Sequence, residues 1–451
     1  MVFPYISRVF DVENIGSYNY YNILFSYISL ITLFGIGLYA SRELGKFADN
    51  IPRRNELASE LISIIFFNLI VTIFLILLPL YYSLPDKDIP IALLFSLMIV
   101  ANAISVEWYF VAVENQRFIF FRNLIFKVIS LALIFLLIKD NSDLLLYVAL
   151  VIGGLLLNGI INFIKLYLEI RDSFKFRLNF KHYSGLLIIF LVEITFRYFG
   201  MGDITVIEKY ITREELGYLT FSLSIFNIIS SFLKIIATTL LPRASYLLQN
   251  NHIDDFYSLV RKSMSLIFFL GFPAILFLFF GSKFLIIAFG GIKYIPAIPI
   301  LKLFCPLIIL SALINTLIFQ VIYPMGKGMK IVIIYIAVII INILMNIALV
   351  NVLNSSALII TSIFSNILLI FLLFVIIRKK ISLNNLFSSE ILKYLIGFII
   401  SFMFVLLLKL YLNESLDILS LFLGISLYLL ILFLLKEKLV YSFILNKTSN
   451  K

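Results

Sequence analysis

Several charged side chains lie inside apolar runs long enough to cross a membrane, among them Lys127, Glu193, Arg197 and Lys234. A charge at the bilayer centre costs roughly 2.5–3.5 kcal/mol on insertion scales, so such a residue must face a cavity or find a partner. Each is therefore a candidate for function. The planar fork of arginine donates two parallel hydrogen bonds and suits an oxyanion such as phosphate. Glu193 and Arg197 are four residues apart and share one helical face. They read either as a self-neutralised structural pair or as a cation that its carboxylate releases when an anion arrives. Asp203 lies near the end of the same run. It reads as an interfacial residue, or, like Glu193, as a carboxylate that could take up H⁺ or coordinate Na⁺. Lys234 is deep in its run, and Lys302 is close enough to an end to snorkel. Arg122 and Lys127 are five apart and so displaced around their helix. Arg122 is expected at the membrane interface and Lys127 deeper. Arg42 and Arg243 close their helices on one side, where they orient the chain or gate a mouth together with Arg122. Glu107 and Trp108 end another run there, with Trp108 read as an aromatic-belt residue.

Other chemistries find little support. The chain has no Gly-x-x-x-x-Gly-Lys loop, so ATP hydrolysis is unsupported. Its single cysteine, Cys305, allows no internal disulfide. His182 and His252 are far apart in predicted loops, so no metal site is expected. Nucleic acid is a poor reading of the net charge of +11, because the basic residues sit in short loops.

The elements that must position these residues are transmembrane helices. Mean hydropathy is +1.09 and only 14% of residues are charged, which excludes an ordinary soluble domain. The apolar runs reach the roughly 20 residues that a spanning helix needs. They lack the alternation of barrel strands. Thirteen spans are predicted: 18–40, 61–82, 89–111, 120–138, 144–165, 184–205, 216–240, 263–281, 296–323, 330–351, 356–377, 391–411 and 416–435. Of the 36 Lys and Arg residues, 24 fall on one side and 8 on the other. That bias puts the richer side, with the C-terminus, in the cytoplasm of a multi-pass protein of the cell membrane. No cleavable signal peptide is evident at Met1.

The chain also repeats itself. Arg8, Glu13, Gly16, Phe25, Ile28, Ser29 and Arg42 match Lys209, Glu214, Gly217, Phe226, Ile229, Ser230 and Arg243 at a constant offset of 201. One residue later in phase, Leu57, Ser63, Ile65, Phe66 and Phe67 match Leu259, Ser265, Ile267, Phe268 and Phe269. Such a repeat predicts two pseudo-symmetric lobes with a substrate site between them. The expected lobes are 1–170, with five spans, and 171–380, with six, followed by two further spans and a tail in 381–451. Span 184–205 opens the second lobe, and its counterpart would lie before Met1. The first lobe is therefore expected to lack its first helix, through a late start or a truncation, with its place left empty.

Beyond these patterns, Phe3-Pro4-Tyr5-Ile6-Ser7-Arg8-Val9 through Glu13-Asn14-Ile15-Gly16-Ser17-Tyr18 resembles the segment that closes the first helix in polysaccharide-unit flippases. These belong to the multidrug/oligosaccharidyl-lipid/polysaccharide exporter superfamily. Trp108-Tyr109-Phe110, Glu114, Arg122-Asn123, Asp143 and Tyr147 are similar to that family's third-to-fifth-helix region. Leu241-Pro242-Arg243-Ala244-Ser245 resembles the end of its eighth helix, and Tyr323-Pro324-Met325-Gly326-Lys327 the turn after its tenth. The chain departs from the family at Val111-Ala112, at Ser224 and at Asn354-Ser355-Ser356-Ala357.

The resemblance implies an all-α integral membrane protein and no covalent chemistry. It implies alternating-access transfer of an undecaprenyl-pyrophosphate-linked oligosaccharide to the outer leaflet, for capsule, O-antigen or another surface glycan. Arg197, Glu193, Lys234 and Lys127 then become candidate substrate-binding residues. Arg42, Arg243 and Arg122 become candidates for the cytoplasmic mouth, and Glu193 and Asp203 for a coupling ion. Besides the lipid-linked glycan and membrane lipids, a glycan polymerase and a chain-length regulator are the implied partners. The membrane potential alone could assist export, at about 2.3 kcal/mol per charge per 100 mV. Three rival readings remain: a peptidoglycan-precursor flippase, a cation-coupled drug exporter, and a membrane glycan polymerase. The last usually carries a large extracytoplasmic loop, and the longest loop on that side, 282–295, is short.

Overall fold

A computed structural model describes residues 2–45, 47, 50–171, 174–198, 203–378, 382, 386–411, 417–438 and 441. These residues form an all-α integral membrane protein, with no strand among them. A short helix α1 (Val2–Val9) precedes α2 (Val12–Gly45), α3 (Ile51–Ser83), α4 (Asp86–Ala112), α5 (Arg117–Leu137) and α6 (Asn141–Ile170). Then follow α7 (Tyr183–Arg197), α8 (Arg213–Gln249), α9 (Ile253–Phe280), α10 (Ala297–Ile322), α11 (Gly328–Leu353) and α12 (Ser356–Ile377). The last pair is α13 (Glu390–Leu410) and α14 (Asp417–Leu434).

Eleven of these helices are long and apolar enough to span a bilayer. Of the thirteen predicted spans, 184–205 and 416–435 fall partly outside the described residues. Their described parts, α7 and α14, are helical. Large apolar residues remain exposed along many helices, for example Phe120, Phe121, Leu124 and Ile125 on α5. In lipid such a face costs nothing, because the surrounding tails are as apolar as leucine.

The helices are not straight, and their breaks follow from sequence. α2 turns at Phe34 and Gly35, whose φ values are 47° and 78°. α3 widens to a π-turn at Ile73–Leu77, just before Pro79, and α10 does so at Leu317–Ile322, just before Pro324. Proline has no amide hydrogen and clashes with the preceding turn, and a wider turn relieves the clash. Pro273 is carried inside α9 without ending it. α10 is interrupted at Phe304, before Cys305-Pro306.

The chain divides into two compact units, Met1–Glu208 and Lys209–Lys451. The same pairing scheme recurs inside each. In unit 1, α2 packs on α3 and α4, and α6 on α4 and α5. In unit 2, α8 packs on α9 and α10, and α12 on α10 and α11. Each repeat-matched helix thus meets the corresponding neighbours. The final pair, α13 and α14, packs on α9 through Phe272, Tyr394 and Tyr428.

Span 184–205 is described over α7. Its described part, α7, makes its main contacts with α2, inside unit 1. Glycine permits this crossing: a Cβ on Gly35 would lie 2.7 Å from the backbone nitrogen of Phe190 and 2.9 Å from the carbonyl oxygen of Leu186. Phe34 stacks on Phe190 with ring centroids 4.7 Å apart. The contact division falls at 208/209, where the sequence places the lobe boundary at 170/171.

Candidate functional site

The best-built polar site in unit 1 begins with a backbone break. Val106, at φ 39°, interrupts α4 and releases the carbonyls before it from helical pairing. Gly159 lets α6 approach at this level, since a Cβ there would lie 2.8 Å from the carbonyl oxygen of Ala101. Asn162 on α6 then donates to the freed Ser105 carbonyl at 2.5 Å. Arg122, two turns into α5, completes the cluster. It is only 5% exposed and donates to Asn162 Oδ1, to Glu107 Oε1 at 2.5 Å and to Asn123 Oδ1 at 2.9 Å. Its guanidinium also lies 5.6 Å from the Phe118 ring centroid. A buried guanidinium is tolerated because an anion and two amide oxygens surround it.

Asn123 links this cluster to the outer face of α5. Its Oδ1 also accepts from Asn158 at 2.9 Å. The same residue lines a pocket of about 470 Å³ with Val111, Ile119, Phe120, Leu124 and Lys127. Lys127 is exposed there. The pocket thus pairs one mobile cation and one amide with an apolar wall, and a fixed cation stands behind the amide. Such a surface could hold a phosphate by its charge and an apolar or sugar face by contact. Nearby, Lys165 of α6 sits 3.6 Å from the Phe118 ring and 5.3 Å from Phe110.

Of the residues singled out in the sequence, Arg122 and Lys127 are brought together, through Asn123. Arg122, expected at the membrane interface, is buried against its neighbouring helices. Trp108 is likewise buried, at 7% exposure, rather than displayed in an aromatic belt. The cause of both is the turn at Val106, which folds residues 107–112 back onto α2. On α7, Glu193 is half-buried and Arg197 exposed, and the two side chains make no ion pair with each other among those described. Arg42 is exposed and pairs with its neighbour Glu43 at 2.9 Å. In unit 2, the Lys234 ammonium lies 5.9 Å from the Phe226 ring and the Arg243 guanidinium 5.4 Å from Tyr246. Lys302 lies 5.1 Å from the Phe279 ring. Asp203 opens the short helix Asp203–Ile207, and its side chain lies outside the described residues.

A second charged cluster went unmarked in the sequence. Glu60 of α3, 5% exposed, meets His182 Nε2 at 2.8 Å, and Asn179 Nδ2 donates to it at 3.0 Å. These partners lie 122 and 119 residues away. No local spacing announces such a pair. The one available signal was a carboxylate one residue before an apolar span.

The family-model match covers the part of the chain that holds both clusters. Residues 1–248 match the family model described as polysaccharide biosynthesis protein. The chain belongs to that family. A relative from Escherichia coli (strain K12), named "Putative O-antigen transporter", is 22% identical over 325 residues, which cover 70% of this chain and 77% of that protein. This member of the polysaccharide biosynthesis family therefore sets its Arg122 cluster inside the matched region. It is a multi-pass membrane protein.

Proposed function

We propose that the protein is a non-enzymatic transporter that flips an undecaprenyl-pyrophosphate-linked oligosaccharide unit across the cytoplasmic membrane by alternating access. The product feeds capsule, O-antigen or another surface glycan. The observation that carries this reading is the α5 pocket, with Lys127 at its wall and the buried Arg122 behind Asn123, in a chain of the polysaccharide biosynthesis family. A relative named for O-antigen transport supports the substrate class. Lys127 and Arg122 attract the pyrophosphate, while exposed Phe120 and Leu124 border the same surface. Arg197 and Lys234 are further substrate cations, Arg42 and Arg243 serve the cytoplasmic mouth, and Glu193 or Asp203 takes up the H⁺ or Na⁺ that drives the cycle. The C-terminus is cytoplasmic. A glycan polymerase and a chain-length regulator take over the product.

The test is a reconstituted flipping assay with a fluorescent undecaprenyl-pyrophosphate glycan. Liposomes holding the protein should expose the glycan to an external lectin or quencher, and protein-free liposomes should not. Equal exposure in both would refute the reading. A proton or sodium gradient imposed on the same liposomes separates H⁺ coupling from Na⁺ coupling.

A further inference from the structure

Two cations share one aromatic ring at the level where α4 breaks. The Lys165 ammonium of α6 lies 3.6 Å from the Phe118 ring centroid, and the Arg122 guanidinium of α5 lies 5.6 Å from it. Phe110, from the segment after the break, adds a second ring, 5.3 Å from Lys165 and 5.0 Å from Phe118. Lys165 is three residues past Asn162, to which Arg122 donates, so both lie on one face of α6.

The rings do not neutralise these charges. Lys165 is half-buried, and its interactions among the described residues are the two ring contacts. Glu169, four residues on, interacts instead with the Tyr109 hydroxyl, beside Arg54. Lysine followed by glutamate is also the weaker order for a helical pair. The Arg122 side chain is 4% exposed, and its Nε has no hydrogen-bond partner among the described residues. Glu107 balances one of the two cations and leaves the other in excess. Attraction to a ring offsets only part of the cost of holding that charge within a span.

Depth and surroundings decide which anion fits. Lys165 lies five residues before the end of α6 at Ile170, and Arg122 five residues after the start of α5 at Arg117. At 1.5 Å per residue, both are about 7.5 Å inside the helix ends, on the side that the basic loops put in the cytoplasm. Phe121, next to Arg122, and Ile164, next to Lys165, are exposed, so hydrocarbon can lie beside the cations. The ammonium has three donors and the guanidinium five. Glu107 meets the guanidinium alone, whereas the several oxygens of a phosphate or pyrophosphate can meet both groups at once.

We infer that Lys165, with Arg122, forms a subsite for a lipid-borne phosphate at these ends of α5 and α6. Phe118 and Phe110 hold the ammonium by its ring-facing hydrogens and leave a donor to the anion. In the transport reading above, on which this part rests, the occupant is the pyrophosphate of the glycan lipid, met here before it reaches Lys127. The other source of the same chemistry is the headgroup of an anionic phospholipid.

Trp108 is the single tryptophan and adjoins Glu107, so its emission reports on the site. Inorganic pyrophosphate added to the full chain in phosphatidylcholine nanodiscs should change that emission saturably. Lys165→Met, which keeps an apolar stem against the rings, and Lys165→Gln should each weaken binding at least tenfold, and Lys165→Arg should stay within threefold. Lys302→Met removes a ring-bound lysine of unit 2 and should leave binding unchanged. No saturable response in the parent, parental affinity in Lys165→Met, or an equal loss in Lys302→Met would overturn the inference.

Two further measurements separate the sources. If the occupant is the glycan lipid, Lys165→Met should raise the glycan concentration for half-maximal flipping severalfold at an unchanged maximal rate. If it is a phospholipid, phosphatidylglycerol in the nanodiscs should abolish the pyrophosphate response of the parent, with flipping by Lys165→Met at the parental level. Parental flipping together with an unaltered response in phosphatidylglycerol would overturn a lipid-borne occupant. Pyrophosphate binding with the expected variant pattern, in a protein that flips no glycan, would leave the subsite standing and end the transport reading.

Discussion

Two sets of buried helix contacts, one in each unit, solve the same problem with different chemistry. In unit 1 each cluster buries one ion: Glu60, which meets His182, and Arg122, which meets Glu107. Between α11 and α12, unit 2 buries a wholly neutral chain. Asn342 donates to Ser365 at 3.0 Å, Asn346 to Asn342 at 3.0 Å and Thr361 to Asn346 at 2.8 Å, and all four side chains are 0–2% exposed. Neutral hydrogen bonds between helices hold neighbours together at small cost, because each group has local alternatives. A buried ion has none, so it fixes one geometry and fails badly when its partner goes. The difference teaches that the charged clusters of unit 1 act in sets and each fix one geometry, as does the buried Glu437 of unit 2, which accepts from Tyr394 at 2.6 Å, whereas the α11–α12 chain does not.

The largest effect should follow from breaking the charged side at its most buried point. Glu60→Leu removes the acceptor shared by Asn179 and His182, with the Glu60 and His182 side chains only 6% and 14% exposed. Each buried donor left without its acceptor costs about 1–3 kcal/mol, and Glu60 serves two. Detergent-solubilised protein should therefore melt far below the parent, as thermal unfolding followed by circular dichroism will read. A shift no larger than that of a surface substitution would abolish the contrast between the charged clusters and the neutral chain.

The next effect sharpens the contrast by its asymmetry. The Glu107 side chain is 46% exposed, whereas that of Arg122 is 4% exposed. Glu107→Leu strands a buried cation and should cost about 3 kcal/mol, at the lower end for a broken buried pair. Arg122→Met leaves a carboxylate that water can reach, and should cost about 1–2 kcal/mol less. Melting both variants, and their double mutant, gives the coupling directly. The reverse order would show that Arg122 is better solvated than its burial indicates.

Smaller still is the neutral side. Thr361→Val removes one interhelical hydrogen bond at nearly constant shape and should cost about 0.6 kcal/mol, with 1.7 as an upper figure. A loss as large as that at Glu60 would place the α11–α12 chain on the same footing as the charged clusters. The smallest stability effect belongs to Lys127, which is exposed. Lys127→Gln should shift stability within about 0.5 kcal/mol, yet lower glycan flipping severalfold at equal abundance. Full activity in that variant would detach the α5 pocket from transport.

The sequence made the membrane helices legible because each is a local property: about twenty apolar residues, bounded by charges, need no tertiary information. The repeat was legible for a similar reason, and the packing inside the two units follows its order. The candidate site was legible only in part. Lys127 and Arg122 stood out as charges in apolar runs, but five residues on a helix place them on different faces. Their link through Asn123 lies within α5, but the Asn162 contact that buries Arg122 depends on a second helix, α6, brought close by Gly159. Burial of Arg122 and Trp108 depended on one residue, Val106, entering a left-handed conformation that a valine gives no reason to expect.

By itself, then, the sequence determined the class of protein, the identity of most helices and the kinship of its halves, because hydropathy and repeat matches are written along one dimension. Only the tertiary structure decided which charges are partners. Glu60 meets His182 across 122 residues, and α7 packs on α2 because Gly35 has no side chain to prevent it. Ions are neutralised by whatever lies near them in space, and in a bundle of helices of this length nearness in space is set by which faces pack, not by position along the chain.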